Sequence, residues 1–239
     1  TGAVTDSVVS VHFTPLKAVI AYLPWKFNSD NHIDFNLLNR HINANLMASS
    51  KESSILMQTQ LGKNNNDEVH LVLNNIKIQD FLRLSVFAPP VTASVDADLT
   101  VGYTNDWLYG GGSLGVYDFT YDKLRVGDFD LGVKAGRNND GSTGALLTLN
   151  IDKHEAMVGK MMLVPDSLGA LIPKKMGVEL TRFPLYVANP FLGNDVARLS
   201  GYLNGALDMS GSFTAPVLNG SIACDSVGVF VPMIGSALT

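Results

Sequence analysis

Residues 199–222 read LSGYLNGALDMSGSFTAPVLNGSI and show how this chain is built. Their apolar side chains fall on one side of a period-two pattern: Leu199, Leu203, Leu207 and Met209. Polar side chains fill the other side: Ser200, Tyr202, Asn204, Asp208 and Ser210. Because successive side chains of a strand point to opposite faces, the pattern predicts a long strand with one apolar and one polar face.

Two glycines interrupt the apolar side of this predicted strand. Gly201 and Gly205 carry no side chain there, which predicts a bend or a close approach of the neighbouring backbone. Pro216 then ends the strand, because proline cannot donate a hydrogen bond to a neighbour. Val217 and Ile222 begin the next strand.

The same alternation returns along most of the chain. Apolar residues alternate with polar ones in runs at 33–37, 42–46, 55–59, 69–73, 91–101, 129–133, 145–151 and 156–162. Short polar turns separate these runs, such as residues 62–67 and 137–141. Short connections between alternating strands are typical of an antiparallel meander with one apolar face.

A few segments have helical spacing instead. Residues 14–24 and 165–173 combine prolines with apolar residues at helical spacing, and residues 79–87 are followed by Pro89 and Pro90. These segments predict short helices, and residues 182–192 resemble the first of them. The predicted fold is therefore all-β, a long curled antiparallel sheet with short interspersed helices. We expect one elongated segment over residues 1–239, built of repeats at about 1–90, 91–175 and 176–239.

Composition narrows the class of protein. Hydrophobic residues make up 46% of the chain and charged ones 16%, yet no apolar run reaches the ~20 residues of a membrane helix. The net charge of −5, without a cluster of Lys or Arg, argues against a nucleic-acid partner. Cys224 is the single cysteine, so no disulfide forms within the chain. Residues 1–11 lack the pattern of a signal peptide.

The order of Leu-Ser-Gly, Ser-Gly-Ser-Phe and Pro-Val-Leu-Asn-Gly in residues 199–222 resembles the C-terminal repeats of the TamB and AsmA-like proteins of Gram-negative envelopes. The resemblance is most specific over residues 183–232. It implies an internal or C-terminal fragment of a periplasmic β-groove that carries phospholipid between the inner and outer membranes. It further implies an inner-membrane anchor outside this sequence. The implied partners are phospholipid acyl chains and an outer-membrane β-barrel assembly protein.

A one-sided sheet this long has to cover or use its apolar face. The residues alone favour a packed core, whereas the resemblance favours an open groove that holds acyl chains; both remain open at this point. The residues predicted to line such a groove are Ile33, Phe35, Leu37, Val95, Leu99, Leu131, Leu147, Leu149, Leu203, Leu207 and Ile222. A conduit of this kind needs no catalytic motif, because each buried methylene contributes about 0.8 kcal/mol.

Other chemistries have weaker support. Two pairs of aspartates, Asp96 with Asp98 and Asp128 with Asp130, could in principle bind calcium. We interpret them instead as solvated strand faces, because calcium-binding loops supply further ligands and a turn glycine. Five scattered histidines have no metal-ligand spacing. Residues 110–112, three glycines, predict a hairpin tip or bulge rather than a phosphate cradle. We therefore predict a protein that is not an enzyme and binds no metal or cofactor.

Two alternative functions remain. An assembly factor would offer an exposed sheet edge to strands of outer-membrane proteins. A cell-surface protein would instead bind carbohydrate through aromatic side chains clustered on the polar face. The candidate aromatic residues are Trp25, Trp107, Tyr109, Tyr117 and Tyr121.

Overall fold

A computed structural model describes residues 2–5, 7–14, 16–38, 41–62, 66–85, 87–104, 107–138, 140–165, 171–192, 196–212, 215–232 and 236–238. Strands make up 75% of the structure and helices 7%. The 17 strands belong to one antiparallel sheet. The predicted class, an all-β antiparallel sheet with short helices, is therefore confirmed.

The strands lengthen along the chain. The first eight are β1 (Gly2–Thr5), β2 (Val8–Val11), β3 (Lys17–Ile20), β4 (Leu23–Phe27), β5 (His32–Asn36), β6 (Ile42–Ser50), β7 (Ser53–Leu61) and β8 (Asp67–Lys77). Helix α1 (Ile78–Leu82) follows. The remaining strands are β9 (Val91–Thr104), β10 (Trp107–Tyr121), β11 (Leu124–Arg137), β12 (Thr143–Ile151), β13 (His154–Pro165), β14 (Leu171–Pro184), β15 (Arg198–Ser212), β16 (Ala215–Val231) and β17 (Ser236–Leu238). A 3-10 turn (Leu185–Ala188) and helix α2 (Asn189–Leu192) connect β14 to β15.

Strand order follows the sequence closely. β1 pairs with β2 and β2 with β5, which lies beside β6. From β6 onward every strand pairs with the next one along the chain, as far as β17. Strands β3 and β4 form a hairpin. Strand β4 pairs with the C-terminal part of β6, on the same side of β6 as β5. The fold is therefore a meander, as the short polar turns predicted.

The chain divides into two compact units. Unit 1 comprises Thr1–Pro89 and Ala93–Gly115, and unit 2 comprises Pro90–Thr92 and Val116–Thr239. The three repeats expected at residues 1–90, 91–175 and 176–239 remain a prediction.

The sheet bends strongly within unit 1. Cα atoms of β6 and β8 come within 8 Å of each other although β7 lies between them. In a flat sheet, strands two apart are separated by roughly 9.5 Å. Side chains on β6 alternate as the sequence predicted, since Ala44, Leu46, Ala48 and Ser50 are buried. The bend therefore lies beside a buried apolar face.

One predicted helix is wrong. Residues 14–24 include the β3–β4 hairpin, whose turn residues Ala21 and Tyr22 have φ angles of 53° and 63°. Two consecutive positive φ angles are typical of the type I′ turns that join tightly paired strands. The pairing of Lys26 and Phe27 with β6 stabilises the extended form, so tertiary contacts override the helical spacing.

The other helical predictions have mixed outcomes. Residues 79–87 contain most of α1, and residues 182–192 contain the 3-10 turn and α2. The resemblance of residues 182–192 to residues 14–24 does not extend to structure. The prediction over 165–173 is wrong at both ends, where Pro165 ends β13 and Leu171 begins β14, and its centre lies outside the described residues.

Glycines permit close backbone approaches in two places. At Gly201, where φ is 94°, the register between β15 and β16 shifts, and a Cβ atom there would collide with the Ser226 carbonyl oxygen. This confirms the predicted irregularity. Residues 110–112 lie inside β10, so they do not form a hairpin tip. A Cβ atom on Gly112 would collide with the Asp98 carbonyl oxygen of β9.

Candidate functional site

The apolar face of unit 2 is built from six strands in register, β11 to β16. Side chains of residues that are paired across strands lie on the same face. One such cross-strand row runs through Val133, Leu147, Gly159, Val178 and Leu207, from β11 to β15. The registers place on this face six residues that the sequence predicted as groove-lining: Leu131, Leu147, Leu149, Leu203, Leu207 and Ile222.

A concavity of about 490 Å³ opens on this apolar face. Its lining comes from β11 to β16: Val133, Ala145, Leu146, Leu147, Met157, Gly159, Lys160, Met161, Met176, Gly177, Val178, Leu207, Met209 and Leu218. Leu147 and Leu207 are the two residues predicted from sequence that line it. The predicted groove-lining residues did not include its methionines, although the alternation had placed Met209 on the apolar side of its strand. On β13 the sequence favoured Ala156, Val158 and Met162, whereas Met157 and Met161 line the concavity.

Three of those methionines are direct cross-strand neighbours. Met161 on β13 pairs with Met176 on β14, which pairs with Met209 on β15. Ala145 and Leu218 continue the row on the two sides. We call Met161, Met176 and Met209 the Met row. All three are partly exposed, so solutes can reach them.

A packed region also belongs to unit 2. Val126, Ile151 and Ala156 are buried there. Residues 185–192, the 3-10 turn with α2, form a strap that reaches from β15 to β10. At the β15 side, the Asn189 side chain bonds both the N–H and the carbonyl of Leu199, at 2.7 and 3.0 Å. At the other, the Phe191 ring lies 5.0 Å from the Tyr121 ring.

A polar cluster of Arg125, Asp128, Asp152 and Tyr186, which we call the latch, links this strap to the β12–β13 turn. The Tyr186 hydroxyl donates to Asp152 Oδ2. Arg125 donates to Asp152 Oδ1 at 3.0 Å and pairs with Asp128 at 3.0 Å. The Asp128 backbone N–H also donates to Asp152 Oδ1 at 3.0 Å. Asp152 therefore accepts hydrogen bonds from three groups.

The latch shifts the acidity of its members. Burial alone raises the pKa of Asp152, but the hydrogen bonds from Tyr186, Asp128 and Arg125 outweigh it and lower that pKa below the ordinary value of 3.8. Burial and the bond to Asp152 raise the pKa of Tyr186 to about 12. The charged carboxylate and the neutral phenol are thus the stable forms of the folded protein at neutral pH.

Unit 1 has an apolar face of its own. Ile33, Phe35, Val95 and Leu99, four of the predicted groove-lining residues, share it through the registers of β5 to β9. Leu37 does not belong to a strand. It lies in the turn after β5 and is 54% exposed.

Small residues and one tryptophan pack the face of unit 1. Trp25 on β4 is 2% exposed, and its ring lies 6.3 Å from the Phe81 ring of α1. The Gln79 side chain of α1 accepts a hydrogen bond from the Ala93 N–H of β9. Helix α1 therefore reaches from β9 to β4. Four alanines of β6 and β9 are buried here: Ala44, Ala48, Ala93 and Ala97.

Two buried polar atoms in unit 1 have no hydrogen-bond partner among the described residues. They are Trp25 Nε1 and Ser50 Oγ. Burying a polar group without a partner costs about 1–3 kcal/mol. These two buried polar atoms therefore lower the stability of the packed face of unit 1.

The polar faces offer little for metal or carbohydrate. Asp96 accepts from the Asn75 N–H, Asp98 lies 2.8 Å from His70 Nε2, and Asp130 accepts from the Tyr117 hydroxyl at 2.6 Å. Among the described residues, no group of three or more His, Cys, Asp or Glu is placed to hold a metal. A second concavity of about 380 Å³ has both charge signs in its lining: Lys160, Lys175, Glu179 and Asp208.

The aromatic residues of the carbohydrate alternative do not form one cluster. Trp25 is buried on the apolar face, and the Tyr109 hydroxyl donates to Glu68 at 2.9 Å. Tyr121 contacts Phe191 in the strap. The Trp107 side chain lies outside the described part of the structure. This arrangement argues against a shared sugar-stacking surface.

No protein-family model, curated protein or solved structure matches this chain. Within the described ranges, no helix has the length and apolar character needed to cross a membrane. The class that the structure defines is an all-β protein with a single antiparallel sheet.

Proposed function

We propose that the chain is a non-enzymatic segment of a hydrophobic β-groove, which binds phospholipid acyl chains and passes them between the inner and outer membranes. The 490 Å³ concavity on the apolar face of unit 2 carries this proposal. The resemblance of residues 199–222 to the repeats of envelope lipid-transport proteins supports it. The proposal puts the chain in the periplasm, with an inner-membrane anchor elsewhere in the full-length protein.

The lining suits a flexible chain better than a rigid ligand. Methionine side chains are unbranched and adapt to irregular shapes. Among the described residues around the concavity, Lys160 is the one that carries a charge. Each methylene moved from water to such a surface contributes about 0.8 kcal/mol, so an acyl chain binds without specific hydrogen bonds.

Two variants on one strand test the proposal. Leu207→Asp puts a carboxylate into the concavity, where desolvation opposes acyl-chain binding. Ala206→Asp puts the same group on the opposite face of β15, one residue away. Displacement of a fluorescent fatty acid by a C16 phospholipid measures affinity, and native mass spectrometry detects bound lipid.

We expect Leu207→Asp to weaken binding by at least about tenfold, or about 1.4 kcal/mol. Ala206→Asp should bind as the unsubstituted protein does, with circular dichroism confirming that both variants fold. Absence of binding by the unsubstituted protein, or equal loss in both variants, would overturn the proposal.

One observation favours a second candidate, assembly of outer-membrane proteins by sheet-edge pairing. In the described part of the chain, the outer side of β16 is paired only at Val229–Val231, by β17. Val217, Leu218 and Ile222 on this strand are exposed, Leu218 by 63%. An unpaired, mostly uncharged edge strand is a template for another strand.

Hydrogen exchange tests this candidate. A peptide with alternating apolar residues, of the kind found in outer-membrane strands, should slow exchange of the backbone amides at residues 217–228. Ser221→Pro removes one donor from β16 and should reduce that protection. Unchanged exchange with saturating peptide would refute edge pairing and leave the acyl-chain proposal standing.

A further inference from the structure

We propose that the Met row binds one soft monovalent metal ion, Cu(I) or its analogue Ag(I), through three thioether sulfurs. Met161, Met176 and Met209 lie on three consecutive strands in direct register. Three of the eight methionines of the chain thus meet at one cross-strand row. The proposed acyl-chain function assigns no such role to them.

The geometry of the row brings the sulfurs within reach of one ion. Cβ atoms of directly paired residues lie about 4.5–5.5 Å apart. The side chains of Met161, Met176 and Met209 all line the same concavity. Each methionine has three rotatable bonds, which lets the outer sulfurs close the remaining distance.

The chemistry of the row selects a soft ion. Thioether sulfur is a soft ligand that favours Cu(I), whereas Mg²⁺ and Ca²⁺ require oxygen ligands. No carboxylate contributes to the described lining of the concavity, so hard cations have no ligand there. Ala145 and Leu218 flank the row, so its immediate cross-strand neighbours are apolar and offer no competing oxygen ligand.

The metal titration is done with Ag(I) on lipid-free protein that carries Cys224→Ser. The substitution is needed because Cys224 is exposed and its thiol competes for soft metals. We expect binding of one equivalent of Ag(I) by native mass spectrometry. In ¹³C-methyl NMR, the methyl signals of Met161, Met176 and Met209 should shift together, and those of the other methionines should not.

Single and triple substitutions to leucine locate the site. Met161→Leu, Met176→Leu and Met209→Leu keep volume and apolar character, so the fold should persist. Each single variant should weaken Ag(I) binding at least about tenfold, and the triple variant should lose it. Met47→Leu, at a methionine of β6 that is 56% exposed, is the matched control.

Two results would overturn the metal site. One is no Ag(I) binding by the Cys224→Ser protein, and the other is binding that survives the triple substitution. Metal binding is measured on lipid-free protein, and lipid binding is tested separately with Leu207→Asp. Failure of one proposal is therefore separable from failure of the other.

Discussion

The two units carry the same kind of one-sided sheet, yet their apolar faces differ. In unit 1 the buried residues of the face include Trp25 and several small residues, such as Ala44 and Ala97. In unit 2 the face is lined by methionines, leucines and valines around an open concavity. The same strand pattern thus accompanies a buried tryptophan in unit 1 and an open concavity in unit 2.

The segments that cross these faces also differ. Helix α1 meets Trp25 through an aromatic contact. The strap of unit 2 is held by the Tyr186 hydrogen bond to Asp152, the Asn189 hydrogen bonds to Leu199 and the ring contact of Phe191 with Tyr121. The strap of unit 2 thus depends in part on a hydrogen bond to a charged carboxylate, that of Asp152. Stability in the two units should respond differently to mutation and to pH.

The largest expected difference is between Trp25→Ala and Leu207→Ala. Removing the buried indole of Trp25 should lower the free energy of unfolding by about 3–5 kcal/mol. Leu207 borders an open concavity, so its truncation should cost less than about 2 kcal/mol. Urea denaturation followed by circular dichroism measures both. Equal losses would remove the distinction between a packed and an open face.

Tyr186→Phe tests the latch. It removes the hydrogen bond to Asp152, a bond to a charged acceptor, and should cost about 1.5–3 kcal/mol. Tyr22→Phe, at an exposed tyrosine of the β3–β4 turn, is the control and should change little. Urea denaturation is again the measurement. A negligible loss in Tyr186→Phe would mean that the strap is held by its apolar contacts alone.

The pH dependence of stability should follow the latch at both extremes. Asp152 has a lowered pKa, so its contribution is complete above 3.8 and is lost as pH falls through the folded value. Tyr186 has a raised pKa, so its contribution is complete below pH 10 and is lost as pH rises toward 12. Thermal melting of the native protein beside Tyr186→Phe checks this. The variant should show a smaller alkaline loss, and an identical alkaline profile would contradict the assignment.

The smallest expected effect concerns unit 1. Ser50 Oγ is buried without a partner among the described residues, so Ser50→Ala should leave stability unchanged or raise it by up to about 1 kcal/mol. Ser53 donates to the Asn75 carbonyl at 2.7 Å, and Ser53→Ala should cost about 1 kcal/mol. The melting temperatures of Ser50→Ala and Ser53→Ala, each compared with that of the unsubstituted protein, test this difference. A destabilised Ser50→Ala protein would show that the hydroxyl does find a partner in solution.

Alternation predicted the strands well, because it reflects burial on one face of a sheet. The alternating runs at 145–151 and 156–162 do form a hairpin, β12 and β13, across Asp152 and Lys153. The predicted partners on β13 were wrong, because a register shift after Leu149 pairs Leu147 with Gly159 and Leu149 with Met157. The β3–β4 hairpin was missed because its pairing with β6 is a tertiary contact that local spacing does not contain. Leu37 continues the alternation of β5 but lies after the last residue of that strand, so the pattern alone overestimated the length of β5.

The concavity was harder to predict than the strands. Alternation identifies which residues share a face on one strand but not which residues meet across strands. The Met row depends on the register of three strands, and a register shift near Met162 helps to set it. Whether a face is open or packed depends further on what crosses it. The role of α1 and Trp25 in unit 1 was not visible from either segment alone.

Pairing of each strand from β6 to β17 with the next one along the chain has a consequence for folding kinetics. Most ladders in this series close a short loop, and the connections at residues 78–90 and 185–197 are the longer ones. The entropy lost before most new pairs form is therefore small. Strands can therefore add one hairpin at a time to an existing edge, in the order in which they are synthesised. We expect refolding to be fast for an all-β chain of this length, and stopped-flow fluorescence would show a slow main phase if pairing were instead cooperative across the whole sheet.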